Sequence, residues 1–325
     1  MAGLRYGAAM RKAMGNPPHV TVLGSLNMDI SVTVPRLPGP GATVLGPAAR
    51  FTPGGKGANQ AVAAARLGAG VRMAGCVGDD DFGRQLLKAL RAEGVDAAAV
   101  RTVAGTPTGL AMISVDPAGE NLITVASGAN REVGAADVDQ ALRRPGDILV
   151  ICAEIPVPAI KKALTEAQGR PCILNLAPAP PEAAVIVAGQ PPDWLVVNET
   201  EAAAVLGRPV GGLAEAAQAA AALTASGVNH AVVTAGAHGA ALASAPAHTA
   251  QTIPAFRVEA VDTVGAGDTF VGALAVALAA GVPAADAVRA AAAAAATAAT
   301  RHGAQAGLPR PEEIRSVTGL TWPVG

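Results

Sequence analysis

The chain has 325 residues, enough for one large α/β domain with a smaller accessory unit. It carries 24 Lys and Arg against 25 Asp and Glu, so no excess of positive charge indicates a nucleic-acid or anionic-membrane partner. Although 51% of the residues are hydrophobic, much of this comes from alanine, and no run is long and bulky enough for a convincing membrane span. We therefore expect a cytoplasmic protein whose partners are small molecules.

Two features of the sequence indicate a reducing, intracellular setting. Residues 1–18 contain scattered basic residues but no apolar core of a secretory signal, so we expect a disordered extension, and Met10 or Met14 could be the true start. The cysteines lie in apolar runs without metal-ligand spacing, and we interpret them as buried strand residues in a reducing cytosol. They are Cys76, Cys152 and Cys172.

From His19 onward, short β-rich runs alternate with alanine-rich helical runs, which is the pattern of βα units around a mainly parallel sheet. Strands are predicted at 19–24, 71–77, 147–152, 172–176, 193–197 and 230–234. Helices are predicted near 56–68, 81–93, 158–168, 199–206 and 213–226, with a tightly packed helix at 290–299. Together they predict an α/β domain over 19–317, with helices on both faces of the sheet and a C-terminal tail at 318–325.

Two segments interrupt this alternation and predict a small second sheet. The first, 30–53, is rich in proline, and the second, 108–126, contains "GLAMISVD" and "NLITVAS" as two strands around the tight turn "PAGE". A small sheet beside a cleft can act as a lid that keeps water away from a reactive phosphoryl group. We therefore predict a lid built from these two segments.

The stretch "GSLNMDI" at 24–30 follows the first predicted strand and contains two polar residues of interest. Asn27 and Asp29 fall near the carboxyl end of that strand, where ligands bind in open α/β sheets. At a spacing of two in an extended segment, both side chains point to one side and suit a pair of hydroxyl ligands. An ordinary Asn/Asp turn is the alternative for this stretch taken alone.

The stretch "PGGKGANQAVAAARLG" at 53–68 is a glycine-rich turn that runs directly into a helix. It is not a Walker A loop, because Lys56 is followed by Gly57 and not by Ser or Thr. The glycines could bring the backbone close to a polyol, with Lys56 and Asn59 as donors at the helix start. Plain helix packing is the alternative.

The stretch "AVDTVGAGDTF" at 260–270 places small residues at the start of a long apolar helix. Backbone N–H groups at such a start can hold an anion. An acid beside that anion, Asp268, would accept a proton from the group that attacks it. By contrast, "GDDDFG" at 78–83 is better explained as a helix cap than as a metal site, and the absence of G-x-S-x-G leaves hydrolase chemistry without support.

Several motifs occur in one order along the chain: "GSLNMDI", "GGKGANQAVAAARLG", "NLAPA", "VNETEA", "TAGAHG" and "VDTVGAGDTFVGAL". This ordered set resembles the ribokinase/PfkB family of carbohydrate kinases over about residues 19–317. The resemblance implies ATP-dependent phosphorylation of D-ribose at O5, with Mg²⁺ and a K⁺ activator. It also implies a homodimer that forms through the lid.

The resemblance also assigns roles to individual residues. It makes Asp268 the general base. It also implies that the N–H groups of Gly265, Ala266 and Gly267 stabilise the charge on the transferring phosphoryl group. The other implied sugar ligands are Asn27, Asp29, Gly55, Lys56, Asn59 and Glu154. The implied nucleotide ligands are Asn198 and Glu201 near the phosphates and Mg²⁺, Thr234, Gly236 and Gly239 near the base and ribose, and Gly267.

A monovalent cation is implied beside the glycine turn. Its expected ligands are Asp262, Val264, Ala298, Arg301, Gly303 and Gly307. Gly307 stands where many relatives have Ser, which leaves the affinity for the cation open. The run 290–296 is all alanine where relatives often place Asn or His toward adenine, which leaves nucleotide selectivity open.

Three rival functions remain at this stage. A nucleoside kinase would need aromatic surfaces for base stacking, yet the chain has two Trp, one Tyr and four Phe, none of them in the sugar motifs. Kinases for another sugar, such as fructose or 2-keto-3-deoxygluconate, are closer rivals, although a sugar-phosphate acceptor would need more cations than Lys56. A catalytically silent sugar sensor is disfavoured, because Asp268 and the glycine turn are intact.

Overall fold

The computed structural model describes residues 17–144, 146–167 and 169–324, so residues 1–16 of the predicted extension, with Met10 and Met14, lie outside the described residues. The larger of two sheets has nine strands. From one edge to the other they are β13 (Ala250–Pro254), β12 (Gly239–Ser244), β11 (His230–Thr234), β10 (Trp194–Asn198), β9 (Cys172–Asn175), β8 (Ile148–Cys152), β1 (His19–Leu23), β4 (Gly70–Gly78) and β5 (Asp96–Val103). In this order, the seven strands from β11 to β5 run parallel to one another, and β12 and β13 add an antiparallel edge.

All six strands predicted from the sequence are present, within one residue of their predicted ends. Three strands of this sheet were not predicted, namely β5, β12 and β13. The sequences of two of them explain the omission, since β5 reads DAAAVRTV and β12 reads GAALAS. Alanine and glycine have low strand propensity, so the positions of these strands depend on packing against their neighbours.

Eleven helices accompany the strands in the described ranges. They are α1 (Lys56–Arg66), α2 (Asp81–Ala92), α3 (Ala135–Leu142), α4 (Val157–Glu166), α5 (Ala183–Gly189), α6 (Glu199–Leu206), α7 (Gly212–Ala225), α8 (Ala266–Ala279), α9 (Ala284–Ala299), α10 (Ala304–Gly307) and α11 (Pro311–Thr318). The five helices expected in the βα rhythm are present within two residues of their predicted ends, and the alanine run falls in α9. The cap interpretation of "GDDDFG" is confirmed, because the Asp80 carboxylate accepts a hydrogen bond from Gly83 N at 2.8 Å at the start of α2.

Helices cover both faces of the large sheet, as predicted. Successive strand residues point to opposite faces, so Val22 belongs to the buried cluster that includes residues of α1, α8 and α9, while its neighbour Leu23 belongs to the cluster that includes residues of α4, α5 and α7. The two buried clusters leave the carboxyl ends of the strands open to a cleft. Within the part of the chain that the structure describes, no helix has the length and apolar character needed to cross a membrane.

The second sheet has four strands, in the order β3 (Ala49–Gly54), β2 (Asn27–Thr33), β6 (Gly109–Val115) and β7 (Asn121–Ala126). A separate small sheet was predicted from these segments and is confirmed. Its first strand begins earlier than expected, because β1 ends at Leu23 and the chain enters the small sheet at Asn27. Asn27 and Asp29 therefore lie on the small sheet and not at the end of β1, although both face one side as predicted.

The cysteines and the C-terminal segment pack into the body of the protein. Cys76, Cys152 and Cys172 are buried free thiols on β4, β8 and β9, as predicted. Burial raises the pKa of the Cys152 thiol to about 12, so that side chain is an uncharged apolar group at neutral pH. Trp322, in the predicted tail 318–325, is buried, and its indole N–H donates to the Leu67 carbonyl at 3.1 Å.

Candidate active site

A cavity of about 360 Å³ opens between the carboxyl ends of the central strands and the small sheet. This position is where open α/β sheets bind ligands. Most of the residues selected from the sequence line it: Asn27, Asp29, Gly55, Lys56, Asn59, Glu154, Asn198, Glu201, Thr234, Val264, Gly265, Gly267 and Asp268. The remaining selected residues, Ala266, Gly236, Gly239, Asp262, Ala298, Arg301, Gly303 and Gly307, lie away from the cavity wall.

Asp268 lies in the first turn of α8, which begins after Gly265 at a φ of 82°. Its carboxylate accepts hydrogen bonds from Asn59 Nδ2 at 2.8 Å and from Gln60 Nε2 at 3.2 Å. Helix α1, which carries Asn59 and Gln60, lies close to α8 because Gly272 has no side chain. A Cβ on Gly272 would lie 2.7 Å from the Gln60 carbonyl. Both oxygens of the acid are therefore fixed in direction.

Burial raises the pKa of Asp268, and the neighbouring Lys56 ammonium and amide donors only partly oppose this. A carboxylate with a raised pKa is a stronger base than an exposed one, provided it is ionised at the working pH. Asp268 is thus suited to accept a proton from a hydroxyl group in the cavity.

Gln60 was not selected from the sequence, although it follows Asn59 directly. Its Nε2 donates to Asp268 and also to Asn175 Oδ1 at 2.9 Å, while Asn175 Nδ2 donates to the Val196 carbonyl at 3.2 Å. The carboxylate of Asp268 is thereby connected to the backbone of β10 through two side-chain amides. A polar residue within the alanine-rich run "NQAVAAA" was the available signal in the sequence.

The half of the cavity beside the small sheet holds several carboxylates around one ammonium group. Burial alone would lower the pKa of Lys56, but Asp268 and Glu154 outweigh this effect and raise it. Burial, followed by repulsion from Glu154 and Asp268, raises the pKa of Asp29 to about 7. Carboxylate oxygens accept hydrogen bonds from hydroxyl groups, so this half of the cavity suits a neutral, hydroxyl-rich ligand better than an anion.

Three small residues, Ser25, Gly54 and Gly57, make this arrangement possible. Ser25 Oγ donates to Glu154 Oε2 at 2.6 Å, and the Lys56 backbone N–H donates to the same oxygen at 3.3 Å. A Cβ on Gly57 would lie 2.6 Å from Ser25 N, so only glycine lets α1 begin this close to the connection between β1 and β2. A Cβ on Gly54 would collide with the Asp29 carboxylate.

The other half of the cavity lies beside α6. Asn198 and Glu201 form a reciprocal cap, in which Glu201 N donates to Asn198 Oδ1 and Asn198 N donates to Glu201 Oε2, both at 2.9 Å. Burial raises the pKa of Glu201, although the Asn198 N–H opposes the shift. Thr234, at the end of β11, is paired with Asn198 across the two strands. Gly236 is the first residue of the 3₁₀ turn that follows β11, and Gly239 comes directly after that turn.

Beside the glycine turn, Asp262 connects two loops. Its Oδ1 accepts from Val264 N at 2.9 Å, and its Oδ2 accepts from Gly303 N at 2.8 Å. A Cβ on Gly307 would lie 3.4 Å from the Ala298 carbonyl and 3.5 Å from the Arg301 carbonyl. The Ala298 and Arg301 carbonyls thus both lie beside Gly307, and oxygen ligands of this kind suit a hard cation.

Comparisons with known proteins find relatives over most of the chain. Residues 17–311 match the profile described as pfkB family carbohydrate kinase. A ribokinase from Haemophilus influenzae is 36% identical over 301 residues, which cover 90% of this chain and 96% of the relative. A deoxyribokinase from Salmonella typhi is 33% identical over 305 residues, covering 93% and 99%. The solved structure of Arabidopsis thaliana ribokinase complexed with ribose and ATP superposes with a TM-score of 0.81 at 31% identity, covering 94% of this chain and 99% of that one.

Proposed function

The chain belongs to the pfkB family of carbohydrate kinases, and we propose that it transfers the γ-phosphoryl group of ATP to O5 of D-ribose. The observation that carries this proposal is the buried Asp268, fixed by two amides and facing the same cavity as Asn27, Asp29 and Glu154. The product is D-ribose 5-phosphate.

In the proposed reaction, Asp268 accepts the proton of the 5-hydroxyl as that oxygen attacks the γ-phosphorus. The bond between the γ-phosphorus and the β,γ-bridging oxygen breaks, and ADP leaves. The N–H groups of Gly265 and Gly267 at the start of α8, two residues that line the cavity, would stabilise the charge that develops on the transferring group, whereas Ala266 N already donates to the Thr263 carbonyl at 3.2 Å. Lys56 adds a positive charge to the same cavity.

We propose Asn198 and Glu201 as the residues that hold Mg²⁺ together with the phosphates of ATP. The Glu201 carboxylate is an oxygen ligand of the kind that Mg²⁺ prefers, and its burial at the cavity wall fits this assignment. When bound, the ion would neutralise charge on the phosphates. We also propose that Thr234, Gly236 and Gly239 lie near the base and ribose of the nucleotide.

The acceptor is tested by measuring ADP release with a panel of D-ribose, 2-deoxy-D-ribose, D-fructose, 2-keto-3-deoxygluconate and adenosine. We expect D-ribose to give the highest kcat/KM, because a site that binds specific hydroxyl groups leaves a buried polar group unpaired when one is missing. The similarity to a deoxyribokinase makes 2-deoxy-D-ribose the second candidate acceptor. A higher kcat/KM for any other panel member would change the assigned substrate, and no turnover with any of them would favour a sugar sensor.

We expect potassium to raise kcat severalfold, although it would contact neither substrate. Asp262 already connects Val264, at the entry to the glycine turn, to Gly303, and a cation held there by Asp262 and nearby carbonyls would stiffen the turn. Gly307 offers no hydroxyl, so we expect activation at higher potassium concentrations than for a relative with Ser. Initial rates in potassium, sodium and tetramethylammonium at one ionic strength measure this, and equal rates would exclude the site.

We also propose that the small sheet is a lid and that it joins two copies of the chain into a homodimer in the cytoplasm. Its cavity-facing side includes Ala111 and Ile113. The alternate positions carry the exposed apolar side chains Phe51, Met112 and Leu122. An exposed apolar face of this kind is typical of an interaction surface.

A further inference from the structure

Asn130 is a buried side chain behind the cavity wall, in the 3₁₀ helix Gly128–Glu132 that follows the last lid strand. It makes three hydrogen bonds. Leu26 N donates to its Oδ1 at 2.9 Å, and its Nδ2 donates to the Leu26 carbonyl at 3.1 Å and to Asn27 Oδ1 at 2.7 Å. This one amide therefore contacts both the entry into the lid and a residue of the cavity wall.

These bonds determine which way the Asn27 amide points. A backbone N–H can only donate and a backbone carbonyl can only accept, so Leu26 fixes the orientation of the Asn130 amide. The Nδ2 of Asn130 must then donate to Asn27, and Asn27 must accept this hydrogen bond with its Oδ1. The Asn27 NH₂ group is left to face the cavity, where it is a donor only.

We propose that Asn130 is a positioning residue that makes Asn27 a hydrogen-bond donor toward an oxygen of the sugar. The inference rests on the proposed function, since it takes the ligand of this half of the cavity to be a sugar. Gly109 supports it, because a Cβ there would collide with both Asn27 Oδ1 and Asn130 Nδ2. The backbone thus leaves room for this amide pair where β6 begins.

On the cavity side, carboxylates complement the donor that the Asn27–Asn130 amide pair provides. Asp29 and Glu154 line the same half of the cavity and supply acceptors for sugar hydroxyl protons. A hydroxyl oxygen whose proton is donated to a carboxylate still has lone pairs to accept from Asn27. Asn130 therefore gives this half of the cavity a donor beside its acceptors.

The test is a double-mutant cycle with Asn27→Ala, Asn130→Ala and the double variant, measuring kcat/KM for D-ribose at saturating ATP. We expect Asn130→Ala to lower kcat/KM about tenfold through KM, with kcat and the KM for ATP within twofold of wild type. In the Asn27→Ala background the second change should add less than twofold. Asn121→Ala, an exposed amide on the same lid hairpin, is the matched control and should change nothing.

Losses that multiply in the double variant would show that Asn130 acts by packing alone and would overturn the inference. An Asn130→Ala variant with unchanged KM for ribose would do the same. If Asn130→Ala fails to fold, Asn130→Asp keeps the shape and the bond to Leu26 N but loses the donor to Asn27, and it should raise KM for ribose without changing KM for ATP. If the wild type prefers another sugar, the proposed acceptor is wrong, and the cycle is measured with that sugar.

Discussion

Asp268→Asn should lower kcat by about 10²–10⁴-fold, because it removes the proposed base that accepts the hydroxyl proton. The change is nearly isosteric, and the binding of sugar should be kept. The new NH₂ group of Asn replaces one carboxylate oxygen and will face a donor, since Asn59 and Gln60 each donate to one oxygen of this carboxylate, so a small loss of stability is expected. Steady-state ADP release and calorimetric binding of D-ribose measure the two effects separately.

Asp286→Asn is the matched control for this prediction. Asp286 also lies in the first turn of a helix, the adjacent α9, but is exposed to solvent. We expect wild-type kinetics from this variant. If Asp268→Asn phosphorylates ribose within a few-fold of wild type, proton removal is not the task of Asp268 and another group must be found.

Gly54→Ala should lower kcat/KM for ribose by about 10- to 100-fold, which corresponds to the loss of a hydrogen bond to a charged group. The added methyl group would occupy the present position of the Asp29 carboxylate. That carboxylate must rotate away, and it then no longer faces the cavity. The backbone itself tolerates alanine, because Gly54 does not adopt a positive φ.

Gly39→Ala provides the comparison, since a Cβ there meets no atom within 4 Å. It should leave ribose and ATP kinetics unchanged. For Gly54→Ala, the KM for ATP and the melting temperature should also stay near wild type, which separates a local effect from unfolding. Unchanged kcat/KM for ribose in Gly54→Ala would mean that Asp29 is not a sugar ligand.

The sequence alone predicts the positions of the proposed reacting groups better than it predicts the contacts that hold them. Asp268 and Lys56 stand out because each follows glycines at a predicted helix start, which is a local signal. Their partners are far away in sequence: Gln60 and Asp268 are 208 residues apart, and Asn130 and Leu26 are 104 apart. Which polar side chains meet over such distances depends on how the helices and sheets pack.

The placement of Asn27 and Asp29 shows the same limit. The alternation of side chains along an extended segment was predicted, and it holds, because it depends only on backbone geometry. The sheet to which that segment belongs was not predicted. The chain passes from one sheet to the other at Gly24, Ser25 and Leu26. The strand after them belongs to the small sheet because it pairs with β3 and β6, and these partners are distant in sequence.

The route of the chain through the lid also bears on how this protein can vary during evolution. Strand β2 leaves the cavity and β3 returns to it, ending at Gly54, with a single residue between it and the start of α1. Gly55, the single residue between them, has a φ of 89°, and a Cβ there would lie 2.6 Å from Asn27 N. The connection 34–48 lies at the opposite end of these strands, where Leu45 is largely exposed. Insertions and deletions in that connection should therefore be tolerated, whereas a change of length at Gly55 would shift Lys56 and Asn59 together and inactivate the enzyme.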